Sequence, residues 1–216
     1  MTKFISEISS NHNNNINRSL KLIKISAECG FDIVKFQLFK IDKLFSQEIL
    51  KTSKKHRQRS NWELKEKYIP ILAKECKKNN IKFCVTPFYL EAVDIIKPYV
   101  DYIKIASYEI LWKDLLIKCA KTRKPIIISN GMTDIKELDK TIKFMKAKKN
   151  DITLLQCYTS YPTMPEHWNL NEIPILMDRY KIPVGFSDHS GDIFASLAAT
   201  ALGAQIIEFH VCFDKR

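Results

Sequence analysis

The chain is expected to fold as a (β/α)8 barrel, and three observations carry that reading. Eight short apolar runs alternate with amphipathic helical patterns along the sequence. The runs are apolar enough to be strands covered on both faces, as a parallel sheet wrapped in helices requires. Only five glycines occur in 216 residues, and no glycine-rich first turn announces the alternative, a doubly wound sheet. This length, with 45% hydrophobic residues, suffices for one large core, so residues 1–216 are read as a single barrel domain.

The first strand is expected over 3–8. The asparagine-rich loop behind it, Ser9 to Asn15, reads as a turn in which Asn15 or Asn17 caps a helix over 17–29. Gly30 closes that helix as its C′ residue, and strand two follows over 31–37. A basic stretch from Lys51 to Arg59 precedes a helix over 61–79. Strand three, at 81–86, is stopped by Pro87, and a helix over 89–97 leads to strand four at 101–106. A helix over 111–121, strand five at 125–129, a helix over 134–147 and strand six at 152–157 continue the alternation. Pro162 stiffens the loop that follows. A helix over 170–180, strand seven at 182–186, a helix over 192–202 ended by Gly203, and strand eight at 205–210 complete the count. The last helix of a full barrel is missing, so the outward residues Ile207, Phe209 and Val211 are expected to face water and to invite association.

Charge appears where it is costly. Lys35 and Lys104 sit at the centres of apolar strands, where an ammonium must find an anion or shift its pKa. A structural ion pair explains either one singly; two in one domain favour a pocket for an anionic ligand. Polar residues at the strand ends include Glu7, Lys35, Gln37, Thr86, Lys104, Ser107, Glu109, Ser129, Ser187, His189, Glu208 and His210, with Thr159 and Tyr161 close behind strand six. In such barrels the chemistry sits at these ends. Lysines and hydroxyls there suit a phosphate or carboxylate. His189 and His210, on neighbouring strands, suit a divalent cation with open positions, or stand as core histidines bonded to carbonyls. A repeated helix–glycine–strand pattern aligns Lys35 with Glu208 and Gln37 with His210.

The net charge is +11, but the lysines are scattered and no nucleic-acid recognition motif accompanies the basic stretch, so no nucleic-acid partner is expected. Six cysteines show neither CxxC nor zinc spacing; Cys157 reads as a packed thiol. No signal peptide and no membrane span are apparent, which points to the cytoplasm.

The motifs in order are Glu7-Ile8 with Asn11-His12-Asn13, Val34-Lys35-Phe36-Gln37, Thr86-Pro87-Phe88, Lys104-Ile105-Ala106-Ser107, Ser129-Asn130-Gly131-Met132, Cys157 through Tyr161-Pro162-Thr163, Gly185-Phe186-Ser187-Asp188-His189-Ser190, and Ala201-Leu202-Gly203-Ala204 into Glu208-Phe209-His210. In these the chain resembles the sialic acid synthase family, which includes the legionaminic and pseudaminic acid synthases of cell-surface carbohydrate biosynthesis. The resemblance implies a transferase that condenses phosphoenolpyruvate with an N-acylated hexosamine, such as N-acetylmannosamine or a 2,4-diacetamido sugar. It implies manganese or magnesium on His189 and His210, and a phosphoenolpyruvate cradle of Lys35, Thr86, Lys104, Ser107, Ser129 and Ser187. Glu7 and Glu109 would lie at the reacting centre, with Gln37, Thr159 and Tyr161 at the sugar. Thr159 stands where the family commonly has asparagine, and Asn130 where it has threonine. The full-length family is a homodimer with a further β domain, so this chain is expected to be C-terminally truncated. The alternatives are a weak or inactive barrel that retains only ligand binding, and another phosphoenolpyruvate-dependent 3-deoxy sugar acid synthase.

Overall fold

Strand pairing runs in chain order until the eighth strand closes on the first. In a computed structural model that describes residues 1–214, the strands are β1 (Lys3–Glu7), β2 (Ile33–Leu38), β3 (Lys82–Pro87), β4 (Tyr102–Ile105), β5 (Ile126–Ser129), β6 (Ile152–Cys157), β7 (Val184–Asp188) and β8 (Ile206–His210). All pairs are parallel, and the seam registers Ile5 on Glu208 and Glu7 on His210. The (β/α)8 reading is therefore correct. Between the strands lie α1 (Ile16–Glu28), three short helices α2 (Ile41–Leu44), α3 (Gln47–Thr52) and α4 (Lys54–Gln58), then α5 (Ile69–Lys78), α6 (Leu90–Ile96), α7 (Lys113–Lys121), α8 (Ile135–Ala147), α9 (Glu172–Tyr180) and α10 (Phe194–Ala201). Among the described residues no helix follows β8.

The side-chain period of two builds the barrel interior in tiers. Ile5, Ile33, Cys84, Ile127, Leu155 and Ile206 form a closed apolar cluster, with Tyr102 against it. On β7 the matching position is Gly185, where a Cβ would stand 2.1 Å from the Ile206 carbonyl oxygen and 2.8 Å from Leu155 Cδ2. Only a residue without a side chain fits there. Two residues further along each strand the same face presents Glu7, Lys35, Thr86, Lys104, Ser129, Cys157, Ser187 and Glu208, all buried. The outward faces pack against the helices in a second, larger core that includes Val34, Phe36, Phe83, Ile103, Ile128 and Ile207.

Local signals account for the helix ends. Asn15 caps α1 through an Arg18 backbone donor, and Asp134 with Glu137 forms a capping box on α8. Gly30 and Gly203 adopt φ +83 and +92 behind α1 and α10, the left-handed turn that glycine allows.

Three expectations need correction. The helix expected over 61–79 exists only as α5, because Pro70 lacks the N–H that an interior turn donates and so sits in its first turn. β7 runs to Asp188, two residues past its expected end, which carries Ser187 into the barrel. The outer face of β8 does not lie open. Ile207 is fully buried, Phe209 packs on Phe31 at 5.2 Å between ring centroids, and Val211 is half-buried and donates its N–H to the Glu7 carbonyl. The start and outer side of α10, by contrast, expose Ile193, Phe194 and Leu197.

Candidate active site

The upper tier places four charges from four strands in contact. Lys35 Nζ lies 2.7 Å from Glu7 Oε2 and 3.2 Å from Glu208 Oε2, and Lys104 Nζ lies 2.9 Å from Glu208 Oε1. Ser187 donates to Glu208 Oε1 at 3.0 Å, and Gln37 Nε2 donates to Glu7 Oε1 at 2.9 Å. The pairing is nearly water-free, so each ion depends on its partners. Burial opposes the ammonium of Lys35, but Glu208 and Glu7 outweigh it and hold the lysine above its ordinary range. Burial equally opposes the Glu208 carboxylate, and the two lysines pull it well below the ordinary carboxylate range. The ion-pair explanation of the two lysines is thus met within the protein, and the cluster sums to zero charge.

Around it are groups whose hydrogen-bonding capacity the protein leaves unused. Thr86 Oγ1, Ser129 Oγ and Glu109 Oε2 are buried without partners. Such orphans are uncommon in folded chains and favour a ligand. Burial pushes the Glu109 carboxyl up to about 7. Ser107 Oγ accepts from the Gly131 N–H at 3.1 Å, and Thr159 donates to the Gly131 carbonyl. A Cβ on Gly131 would stand 2.5 Å from Thr159 Oγ1, so the loops after β4, β5 and β6 converge on a glycine. Asn130 staples β5 to β6, donating to Gln156 Oε1 at 2.9 Å and accepting from the Cys157 N–H at 3.0 Å.

Above the charged tier stand the imidazoles. His189 is set by its neighbours: Asp188 accepts from Ser196 and from the Ser190 N–H, and the Thr163 N–H donates to the His189 carbonyl. His189 Nδ1 lies 3.0 Å from the Tyr158 carbonyl oxygen, and Nε2 lies 3.0 Å from Tyr161 Oη. His189 and His210 are 5.7 Å apart between ring centroids, with the Tyr161 ring 4.1 Å and 5.7 Å from them. Burial lowers the His189 pKa to about 4, and that of His210 falls for the same reason although part of its ring meets solvent. Both rings are neutral at pH 7, the form that ligates cations. Among the described residues no three His, Cys, Asp or Glu side chains gather closely enough to hold a metal by themselves. The rim encloses a cleft of about 450 Å³ lined by Tyr161, Asp188, His189, Asp192, Phe209 and His210.

The candidate site residues thus lie in the upper tier of the barrel or in the loops that leave the carboxyl ends of its strands. The structure joins Glu7, Lys35, Gln37, Lys104 and Ser187 into one network and Tyr161, His189 and His210 into another. It does not link Glu109 to Tyr161 by a hydrogen bond. Two buried polar residues received no role from the sequence. Glu208 bridges both lysines, and its alignment with Lys35 was the available signal. His12 is buried, with its pKa lowered by burial to about 4; Nδ1 accepts from the Asn14 N–H, and Nε2 has no partner. Its place close behind the first strand is the one sequence signal that separates it from an ordinary loop histidine.

Buried lysines, carboxylates and unpartnered hydroxyls thus lie beneath two imidazoles at the end of a closed (β/α)8 barrel where such barrels place their active sites. The sequence matches the NeuB family over residues 22–216, and the chain belongs to that family. It is 40% identical over 216 residues to an uncharacterized protein of Methanocaldococcus jannaschii, covering 99% of this chain and 63% of that protein. It is 39% identical over 228 residues to the N,N'-diacetyllegionaminic acid synthase of Campylobacter jejuni, covering 99% of this chain and 68% of the enzyme. The chain therefore spans about two thirds of the length of these relatives. Among solved structures, the N-acetylneuraminic acid synthetase of Leptospira borgpetersenii, in complex with citrate, superposes with a TM-score of 0.93 at 31% identity, over 99% of this chain and 74% of that one. No helix among the described residues is long and apolar enough to cross a membrane.

Proposed function

We propose that this chain is the barrel of an enzyme that condenses phosphoenolpyruvate with an N-acylated hexosamine, giving a nonulosonic acid and phosphate. The observation that carries the reading is the upper tier: two buried lysines with orphaned hydroxyls at Thr86 and Ser129, in a chain whose relatives include a legionaminic acid synthase.

Lys35 and Lys104 turn their remaining N–H groups to the donor's carboxylate and phosphate, and Thr86, Ser107, Ser129 and Ser187 supply hydroxyls. The enol carbon of the donor bonds to the sugar aldehyde, cationic character develops at the phosphate-bearing carbon, water adds there, and phosphate leaves by C–O cleavage. Glu7 and Glu208 lie where that positive charge develops. Glu109, titrating near neutrality, accepts the proton of the attacking water. Gln37, Thr159 and Tyr161 face the sugar. The imidazole pair fits a manganese or magnesium ion: both rings are neutral, and the His189 Nδ1 contact to a carbonyl leaves Nε2 as the ligating atom. The remaining ligands would come from water and substrate oxygen. When bound, the ion polarises the aldehyde.

The test is incubation with phosphoenolpyruvate labelled with ¹⁸O at the bridging oxygen, with N-acetylmannosamine and with 2,4-diacetamido sugars, alongside calorimetry of donor binding. The expected result is donor affinity and sugar-dependent phosphate release carrying the label. Binding without release would support the reading of a barrel that only binds. Absence of donor binding would overturn the proposal.

A further inference from the structure

Tyr161 occupies the position through which the imidazole pair would receive an ion. His189 Nδ1 lies 3.0 Å from a carbonyl oxygen, which only accepts, so Nδ1 carries the proton and Nε2 presents a lone pair. Tyr161 Oη, 3.0 Å from Nε2, must then donate to it. One lone pair serves one partner, so the phenol and a cation compete for the same nitrogen. The ring adds to the obstruction, lying against both His189 and His210.

We propose that Tyr161 is a stopper on this pair: with no ion present its hydroxyl holds His189 Nε2, and an entering divalent cation displaces it toward the cleft. The proposal rests on reading His189 and His210 as metal ligands and goes beyond it. The movement is a side-chain rotation. The backbone of the loop is tied down, with the Thr163 N–H on the His189 carbonyl at 2.9 Å and Thr163 Oγ1 on the Ser160 carbonyl at 2.8 Å. The ring has somewhere to go, being 64% exposed beside an open cleft. Rotamer changes of such exposed side chains are fast. Once displaced, the hydroxyl is free to bond a polar ligand in the cleft. A cation and such a ligand then favour the same rotamer, so each tightens the other's binding, and by linkage the effect is reciprocal.

The experiment measures Mn²⁺ affinity from the EPR signal of the free ion, for the unmodified chain, Tyr161→Phe and His189→Ala. Tyr161→Phe keeps the ring and deletes the competing donor. The expected result is binding about two- to ten-fold tighter in Tyr161→Phe, the value of one neutral hydrogen bond, and none in His189→Ala. Equal or weaker binding in Tyr161→Phe, with loss in His189→Ala, would overturn the stopper and leave the metal reading standing. Weaker binding would make the tyrosine a ligand, and equal binding a packing residue. Absence of Mn²⁺ binding in both the unmodified chain and Tyr161→Phe would overturn the metal reading and the stopper with it.

Discussion

The lower and upper tiers of the barrel interior are built from the same eight strands and the same face, about 7 Å apart along the barrel, yet they obey opposite rules. The lower tier is six apolar side chains, a half-buried tyrosine and a glycine that makes room for them. It is held by packing, and its errors are errors of volume. The upper tier is two lysines, two glutamates, three hydroxyls and a thiol, equally dry. Its errors are errors of charge balance, since a buried ion without its partner is far costlier than a missing methylene. One tier closes the barrel, and the other uses that closure to hold groups that water would otherwise scatter.

Five single substitutions break or sharpen this contrast. Glu208→Ala removes the carboxylate shared by Lys35 and Lys104 and leaves two buried ammonium groups against Glu7 alone. We expect a loss of about 3–5 kcal/mol in urea denaturation, with much less when Lys104→Met is added to the same chain. Glu109 gives the next effect. Its folded pKa, raised to about 7, means that the native state keeps a proton which the unfolded chain releases above its ordinary value near 4.5. The native state binds more protons over that window, so this group's contribution falls as pH rises from about 4.5 to 7. Glu109→Gln should therefore be more stable than the parent at pH 8, by up to about 3 kcal/mol, and near parity at pH 4. The buried His12 and His189, lowered to about 4, push stability the opposite way between about 4 and 6.5, and the difference between the two chains cancels them. In the lower tier, Gly185→Ala drives a methyl into a backbone carbonyl that cannot rotate away. A loss of about 1–3 kcal/mol is the usual scale, and calorimetric melting should report it with donor affinity reduced only in proportion. The smallest effect belongs to Ser129→Ala and Thr86→Ala. Their hydroxyls have no partner, so stability should move within about 0.5 kcal/mol while phosphoenolpyruvate affinity falls. Unchanged affinity would show those hydroxyls to be idle.

The same contrast explains what the sequence disclosed. Buried charge in an apolar strand is a loud local signal, which is why Lys35 and Lys104 stand out, and position at a strand end carries the reading to Thr86, Ser129 and Ser187. The identity of the partners was quieter. Lys104 and Glu208 lie 104 residues apart, and only closure of the barrel brings them together. The helices over 41–58 went unread because four to six residues are too few to show a helical period. Phe209 is expected in water when no helix is read behind its strand in the sequence, but Phe31 covers it from the turn behind α1. The orientation of Tyr161 toward His189 depends on how a loop is pinned to β7, which no spacing in the sequence expresses.

The position of Glu208 has a consequence for the order in which the chain is made. Lys35 and Lys104 leave the ribosome early, Glu7 before both, and the second carboxylate only after more than a hundred further residues. Until β8 is synthesised, a collapsed intermediate would bury two cations against one anion, at a cost comparable to much of a domain's stability. The charge cluster therefore opposes premature closure of a seven-stranded intermediate. The eighth strand brings Glu208, the second carboxylate of the cluster, and with it the charge balance.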